Sequence, residues 1–256
     1  MGDRDLWQPV AAALAEYSRL GISPEFWLRD DDASRPSAAL DRLIELTARF
    51  GIPVALAIIP ARTGEDLAAR LAPHSHAAPV VHGWAHKNHA GMGEKKQEFG
   101  PHRPLAEMRN ELNRGLKIMN DFYPERLVPM FVPPWNRIAP ELIGYLDEAG
   151  YSALSRFGPA GVPTGDGIAK INTHIDIMDW RGGKTCKDHE VLTRLLADAL
   201  TQSLAGERYA IGILTHHLVH DEAAWNFLEN LFSLAQGQRW LSAQELVGQR
   251  FTSTCS

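Results

Sequence analysis

Five polar clusters stand where short apolar runs end, and each carries side chains able to ligate a metal or move a proton. The first is Arg29-Asp30-Asp31-Asp32, which closes Phe26-Trp27-Leu28. Three adjacent carboxylates repel one another, so the run needs a cation, a basic partner or full solvation. A strand ahead of it weighs toward a metal site over a solvated acidic loop. The second is His82-Gly83-Trp84-Ala85-His86, after Val80-Val81. Two imidazoles four residues apart can face one point, as metal sites require; hydrogen-bonded or surface histidines would explain either one alone. The third is Phe131-Val132-Pro133-Pro134-Trp135-Asn136-Arg137, where two prolines and an aromatic ring build a stiff wall and Asn136 and Arg137 offer donors to a polar ligand. The plainer reading is a rigid loop packing a core tryptophan. The fourth runs from Asn172 to Trp180 and holds His174, Asp176 and Asp179; the fifth runs from Ile211 to Asp221 and holds His216, His217 and His220. One such cluster could be accidental. Five at strand ends point to a built site, because solvated polar residues have no reason to gather on one face of a fold.

The elements that must position them alternate. Strand character falls on Phe26–Asp31, Pro53–Ile59, Pro79–Gly83, Leu127–Pro133, Ser152–Ser155, Ile168–Asp176 and Tyr209–His216. Helical period falls between them, on Ser37–Phe50, Pro104–Phe122, Ala139–Ala149, Asp188–Ala205 and Asp221–Gln236, with a further helix at Leu6–Leu20. Pro104 and Pro140 lie near helix starts and Gly51 and Gly150 beyond helix ends, where each residue type fits best. Repeated βα units give parallel strands with right-handed crossovers, closed as a barrel or open as a doubly wound sheet. Either way, reacting groups collect at the C-terminal ends of the strands.

Length and composition set bounds. At 256 residues and 45% hydrophobic content the chain can bury a sizeable core, and α/β barrels use this length as one domain. A net charge of −5 with no Lys/Arg stripe excludes a nucleic-acid footprint. Two cysteines, Cys186 and Cys255, cannot form a disulfide framework. The start of the chain has no basic region leading into an apolar core, and the longest apolar stretch, near Pro53–Ala61, is too short to span a bilayer. The expectation is a single-domain cytoplasmic protein spanning 1–256, with the helix near 5–20 either capping the barrel or meeting a partner.

Taken together, the clusters resemble the motifs of the polysaccharide deacetylase, or NodB-homology, family of metal-dependent carbohydrate esterases. Asp31-Asp32 match the family's aspartate pair, with Ala33 where glycine is usual; His82 and His86 match its two histidines. Pro134-Trp135 match its Arg-x-Pro-aromatic loop, with Val132 in the arginine position. Asp176, Asp179 and Trp180 match Asp-x-x-Asp-Trp, and Leu214 with His216 match Leu-x-His. The resemblance covers most of the chain and implies a distorted (β/α)7 barrel, a TIM-barrel-like α/β fold, carrying one divalent metal. Zinc is the first choice, with cobalt, nickel, manganese or iron as alternatives. It further implies Asp32, His82 and His86 as ligands and Asp31 as the base that takes a proton from the attacking water. His216, oriented by Asp176 or Asp179, would protonate the departing amine, and a backbone N–H near Trp135 would help to hold the oxyanion. Trp135 and Trp180, with Pro134 and Asn136, would line the substrate.

Two points stay open at this level. Strand alternation puts Asp30 and Asp32 on one face and Arg29 with Asp31 on the other, leaving the register of the aspartate run uncertain by one residue. The missing family arginine could be replaced by Arg29 or by Arg137; Arg137, in the same loop as the gap, is preferred. His89, His217 and His220 are expected to support the site by hydrogen bonding, and His74 and His76 to lie on the surface. The function expected is removal of an N-acyl group, acetyl most simply, from an amino sugar or related small-molecule or oligosaccharide substrate. The alternatives are a C–N hydrolase of a small non-sugar amide, a non-catalytic sugar-binding relative and, more distantly, an iron oxygenase built on the same ligand set.

Overall fold

Apolar residues at three- and four-residue spacing bury one face of each helix against a parallel sheet. In the computed structural model, which describes residues 3–159, 168–206 and 208–252, the helices are α1 (Asp3–Arg19), α2 (Ala38–Phe50), α3 (Glu65–Leu71), α4 (Leu105–Phe122), α5 (Pro140–Glu148), α6 (His189–Ala205), α7 (Glu222–Leu234) and α8 (Ala243–Thr252). Helix α2 shows why the periodicity was readable. Ser37 caps it by accepting from the Leu40 amide at 3.1 Å, Leu40, Leu43, Ile44 and Leu46 are buried, and Gly51 ends it at φ 66°.

The strands are β1 (Glu25–Ala33), β2 (Val54–Ile58), β3 (Ala77–His82), β4 (Met130–Val132), β5 (Ala153–Leu154), β6 (Ala169–Lys170), β7 (Ile175–Asp176), β8 (Met178–Asp179), β9 (Thr185–Cys186), β10 (Ile211–Thr215) and β11 (Arg239–Trp240). The main sheet runs β6-β5-β4-β3-β2-β1-β10-β7 in parallel, with β11 beside the start of β1, while β8 and β9 form a separate antiparallel pair. The single strand expected over Ile168–Asp176 is divided between the two edges of this sheet. Its first half bonds to the β5 side, through Ile171 N to Leu154 O at 3.0 Å and Thr173 N to Arg156 O at 2.9 Å. Its second half bonds to β10, through His174 N to Gly212 O at 2.7 Å. One run of chain thus curls the sheet round on itself, and the result is a distorted (β/α)7 barrel in a single domain.

Closure depends on a missing side chain. A Cβ on Gly212 would lie 2.4 Å from Trp27 Nε1 and 2.7 Å from Thr173 Cα, so only glycine lets β10 approach the closing segment. Inward-facing positions are mostly small, with Ala55, Ala57 and Ala78 grouped about Trp27, and Ala243, Leu246 and Val247 around the start of α8 join this inner cluster. The N-terminal helix packs against α6, where the Tyr17 hydroxyl donates to Leu200 O at 3.0 Å, and Trp7 stacks on Phe227 of α7 at 5.2 Å. Among the described residues no helix is long and apolar enough to cross a membrane.

Candidate metal centre and acid–base site

The aspartate run sits at the C-terminal end of β1, and its three carboxylates face three ways. Arg29 and Asp31 share one face, as alternation requires. Asp30 faces outward, is fully buried, and accepts from Thr215 Oγ1 at 2.7 Å and from the His217 amide at 2.9 Å; its Oδ1 also meets His217 Nδ1. Burial alone would raise the pKa of Asp30, but His217 and Thr215 hold it low. The same pairing raises that of His217 against its own burial. Asp30 therefore clamps the chain on either side of His216. Asp32 departs from alternation because its φ is 74° and the pairing of β1 with β2 shifts register between Asp30 and Ala33. This turn of the backbone swings Asp32 away from Asp30 and resolves the register.

Asp32 Oδ1 lies 3.1 Å from His82 Nε2 and 3.2 Å from His86 Nε2, and the ligating atoms of the three residues all fall within 4.8 Å of one another. The donor set fits a divalent ion. His82 Nδ1 donates to Val132 O at 3.0 Å, which orients the ring and turns Nε2 toward Asp32. His82 is buried, His86 half-buried, and the two rings are tilted with centroids 5.1 Å apart. Burial works against charge on Asp32, but His82, His86 and His216 hold its carboxyl well below the usual range. Burial, with His82 next to it, pushes His86 down; on His82 the carboxylates of Asp31 and Asp32 outweigh burial and push it up.

Asp31 is held by Arg29. Nη2 donates to Oδ2 at 3.0 Å, Nε lies 2.9 Å from Oδ1, and the remaining guanidinium contacts go to Ser155 Oγ at 2.7 Å and Asn136 Oδ1 at 2.8 Å. The preference for Arg137 is corrected: its Nη1 donates to Lys96 O at 2.9 Å in an exposed position, and the cation on Asp31 is Arg29. Asn136, expected to touch substrate, has its side-chain oxygen on Arg29. His216 Nε2 lies 4.0 Å from Asp31 Oδ2, across the mouth of the site.

The aspartates expected to orient His216 do something else. Asp176 accepts from Trp180 Nε1 at 2.7 Å and from the Met178 amide at 3.0 Å, while Asp179 accepts from the Arg181 and Gly182 amides, each at 3.0 Å. His216 Nδ1 is buried with no hydrogen-bond partner among the described residues. What meets the ring is Trp180, edge-on at 4.6 Å and 79°. Asp176 thus reaches His216 through a tryptophan, not by a direct hydrogen bond.

On the opposite side Trp135 lies 4.3 Å from the His86 ring. Trp135 and Asn136 follow Pro134 with φ of 54° and 58°, and His86 has φ 55°, so with Asp32 four of the six non-glycine residues with positive φ among the described residues belong to this site. Such backbone costs about 1–3 kcal/mol per residue and persists where the surroundings enforce it. Sequence reading missed Ser155, Glu98 and the Asp30–His217 clamp. Ser155 ends a recognised strand, whereas nothing local marks Glu98, which is buried and accepts from three backbone amides of the His82–Lys87 turn.

No protein-family profile and no curated protein matches the sequence. Solved structures do. A Mycobacterium smegmatis protein classed as a polysaccharide deacetylase aligns over 91% of this chain and 92% of its own, at 15% identity and a TM-score of 0.64. A peptidoglycan N-acetylglucosamine deacetylase in complex with an N-hydroxybenzamide aligns over 87% of both chains, at 14% and 0.55. A family 4 acetyl xylan esterase from Clostridium thermocellum in complex with a cobalt ion covers 89% of this chain and 92% of its own, at 13% and 0.50. The chain therefore shares the distorted (β/α)7 barrel fold of these carbohydrate deacetylases and esterases.

Proposed function

We propose that the protein is a metal-dependent hydrolase that removes an N-acyl group, acetyl most simply, from an amino sugar or related glycan. The observation that carries this reading is the meeting of the Asp32, His82 and His86 donor atoms beside a carboxylate, Asp31, that is buried, charge-paired and 4.0 Å from His216. The activities named for the comparison structures, two deacetylases and an acetyl esterase, support the same chemistry.

Asp32, His82 and His86 would hold the ion, with zinc the first choice for two imidazoles and a carboxylate and cobalt, nickel, manganese or iron the alternatives. A divalent ion there supplies Lewis acidity, which acidifies an attacking water and polarises an acyl carbonyl. Asp31 accepts the water's proton, its carboxylate aimed by the Arg29 fork so that one oxygen faces the site. His216 delivers a proton to the departing amine from the far side. Trp135 and Trp180 flank the two histidines His86 and His216 and give apolar walls for a sugar face or acyl methyl.

Metal content of the purified protein, measured beside Asp32→Ala and His82→Ala, tests the site, and release of acetate from N-acetylglucosamine oligomers tests the reaction. About one equivalent of a divalent ion, lost in both variants together with acetate release, is the expected result. A chain that takes up no ion after reconstitution at neutral pH would overturn the hydrolytic reading in favour of a binding protein.

A further inference from the structure

The second histidine ligand sits on a strained backbone that something other than a cation must hold. His86 has φ 55°, and between it and β3 lies Gly83, itself at φ 57°. Side-chain oxygens of one buried residue, Glu98, meet this turn from inside. Oε2 accepts from the Trp84 amide at 3.0 Å, and Oε1 accepts from the Ala85 amide at 2.9 Å and the Lys87 amide at 3.1 Å. The three donors bracket His86 on both sides. Glu98 is 1% exposed, so these amides and not water satisfy its side-chain oxygens.

The carboxylate is itself fixed from behind. The next residue, Phe99, is fully buried edge-on to Phe131 of β4 at 5.3 Å, and its carbonyl accepts from the Ala139 amide at 2.7 Å. Arg103 donates to Glu98 O at 3.4 Å while holding Glu111 with both Nη atoms at 2.6 and 2.7 Å. Space for the carboxylate exists because residue 83 has no side chain: a Cβ there would lie 2.4 Å from Glu98 Oε2. The His86 turn is thus built round a buried side-chain acceptor anchored to β4 and α4.

Resting on the metal-site reading above, we propose that Glu98 is a positioning residue for His86, which holds the 84–87 turn in its ligating conformation before any cation binds and so sets the affinity of the site. Glu98→Gln keeps the shape but turns an N–H donor toward a backbone N–H. Cobalt affinity, measured by competition with a chromophoric chelator on the full chain, is expected to fall about ten- to a hundred-fold, the range for partners that orient metal ligands. The same substitution in a His86→Ala background is expected to change affinity less than about two-fold, since a residue acting through His86 has nothing left to position.

Unchanged affinity in Glu98→Gln, or an equal further loss in the His86→Ala background, would overturn the inference. Wild-type protein that takes up no cobalt would instead overturn the metal reading itself, so the two failures are distinct. Should Glu98→Gln not fold, amide exchange on the metal-free wild type decides. Amides of Trp84, Ala85 and Lys87 protected before metal is added support the proposal, and amides protected only afterwards refute it.

Discussion

Arg29 and Asp31 stand two residues apart on one strand and face the same way, so the guanidinium of one meets the carboxylate of the other inside the barrel: Nη2 to Oδ2 at 3.0 Å and Nε to Oδ1 at 2.9 Å. Both side chains are almost completely buried. A two-residue step on a strand returns to the same face, which makes this pairing nearly automatic once β1 forms. The β1 strand therefore supplies the proposed base and the guanidinium that holds it in place.

Arg29→Lys keeps the charge and loses the fork. An ammonium is a point charge that cannot reach Asp31, Ser155 and Asn136 in one plane, so kcat is expected to drop about a hundred-fold, the lower range for a mispositioned general base. Arg29→Met strands a buried carboxylate and is expected to cost about 3–5 kcal/mol in a urea melt. Arg137→Ala, which removes a contact to the Lys96 carbonyl, should leave kcat within about two-fold. A larger effect from Arg137 than from Arg29→Lys would reverse this assignment.

Trp180 is 44% exposed and touches His216, with its indole N–H on Asp176 at 2.7 Å. Trp180→Phe retains a ring but has no handle for Asp176, so kcat is expected to fall about ten-fold with stability changed by less than about 1 kcal/mol, as befits a half-exposed side chain. Asp176→Asn should have a similar effect, and the double variant no more than either single, because both act through one contact on His216. Additive losses would show that Asp176 acts on the site independently of Trp180.

How much of this was legible in the sequence follows from where each partner lies. Alternation along β1 was enough to place Arg29 with Asp31, and the four-residue step from His82 to His86 was enough to suggest two imidazoles facing one point. Alternation misplaced Asp32 because a single left-handed residue at φ 74° re-aims every side chain after it, and an aspartate there carries no mark as a glycine would. The run Ile168–Asp176 read as one strand because its residues are strand-like throughout; that it serves both edges of the sheet is a property of the curled sheet as a whole. Helices α3 and α8 were missed, the first being a seven-residue segment and the second having few apolar positions. Glu98 was invisible for a plainer reason. Its three partners are backbone amides 11 to 14 residues earlier, and backbone has no letter in the sequence.

Barrel closure can be tested at Gly212. Alanine there would drive a methyl into Trp27 Nε1 at 2.4 Å, Thr173 Cα at 2.7 Å and Asn172 O at 2.8 Å, two of them backbone atoms that cannot swing aside. The cost expected is about 3 kcal/mol, at the upper end for overpacking. Gly144, exposed on α5 with nothing within 4 Å of its Cβ position, gives the opposite sign: Gly144→Ala is expected to stabilise by about 0.5–1 kcal/mol. Urea midpoints of the two variants check both, and a neutral Gly212→Ala would mean that the closing segment is not held against β10.

The same junction should respond to acid. His174 Nδ1 accepts from the Gly212 amide at 2.9 Å, and its Nε2 is buried with no hydrogen-bond partner among the described residues; burial pushes this imidazole down to about 4. An unfolded chain protonates its histidines near 6.5, so between pH 6.5 and 4 the unfolded state binds a proton that the folded state refuses, and stability rises with pH across that window. Protonation would also set an N–H against the Gly212 N–H. Acidification from pH 7 to 4 is therefore expected to lose about 2 kcal/mol through His174, allowing for its partial exposure. His220, pushed down to about 4 by burial, adds to the loss over the same interval. His174→Gln retains an acceptor for Gly212 and does not titrate, so the unfolding free energy of wild type relative to the variant should fall on acidification, and only in this window. Urea melts at pH 7, 5.5 and 4 measure it: carboxylates and His220 contribute equally to both proteins, and an acid loss as large in the variant as in the wild type would remove His174 as its source.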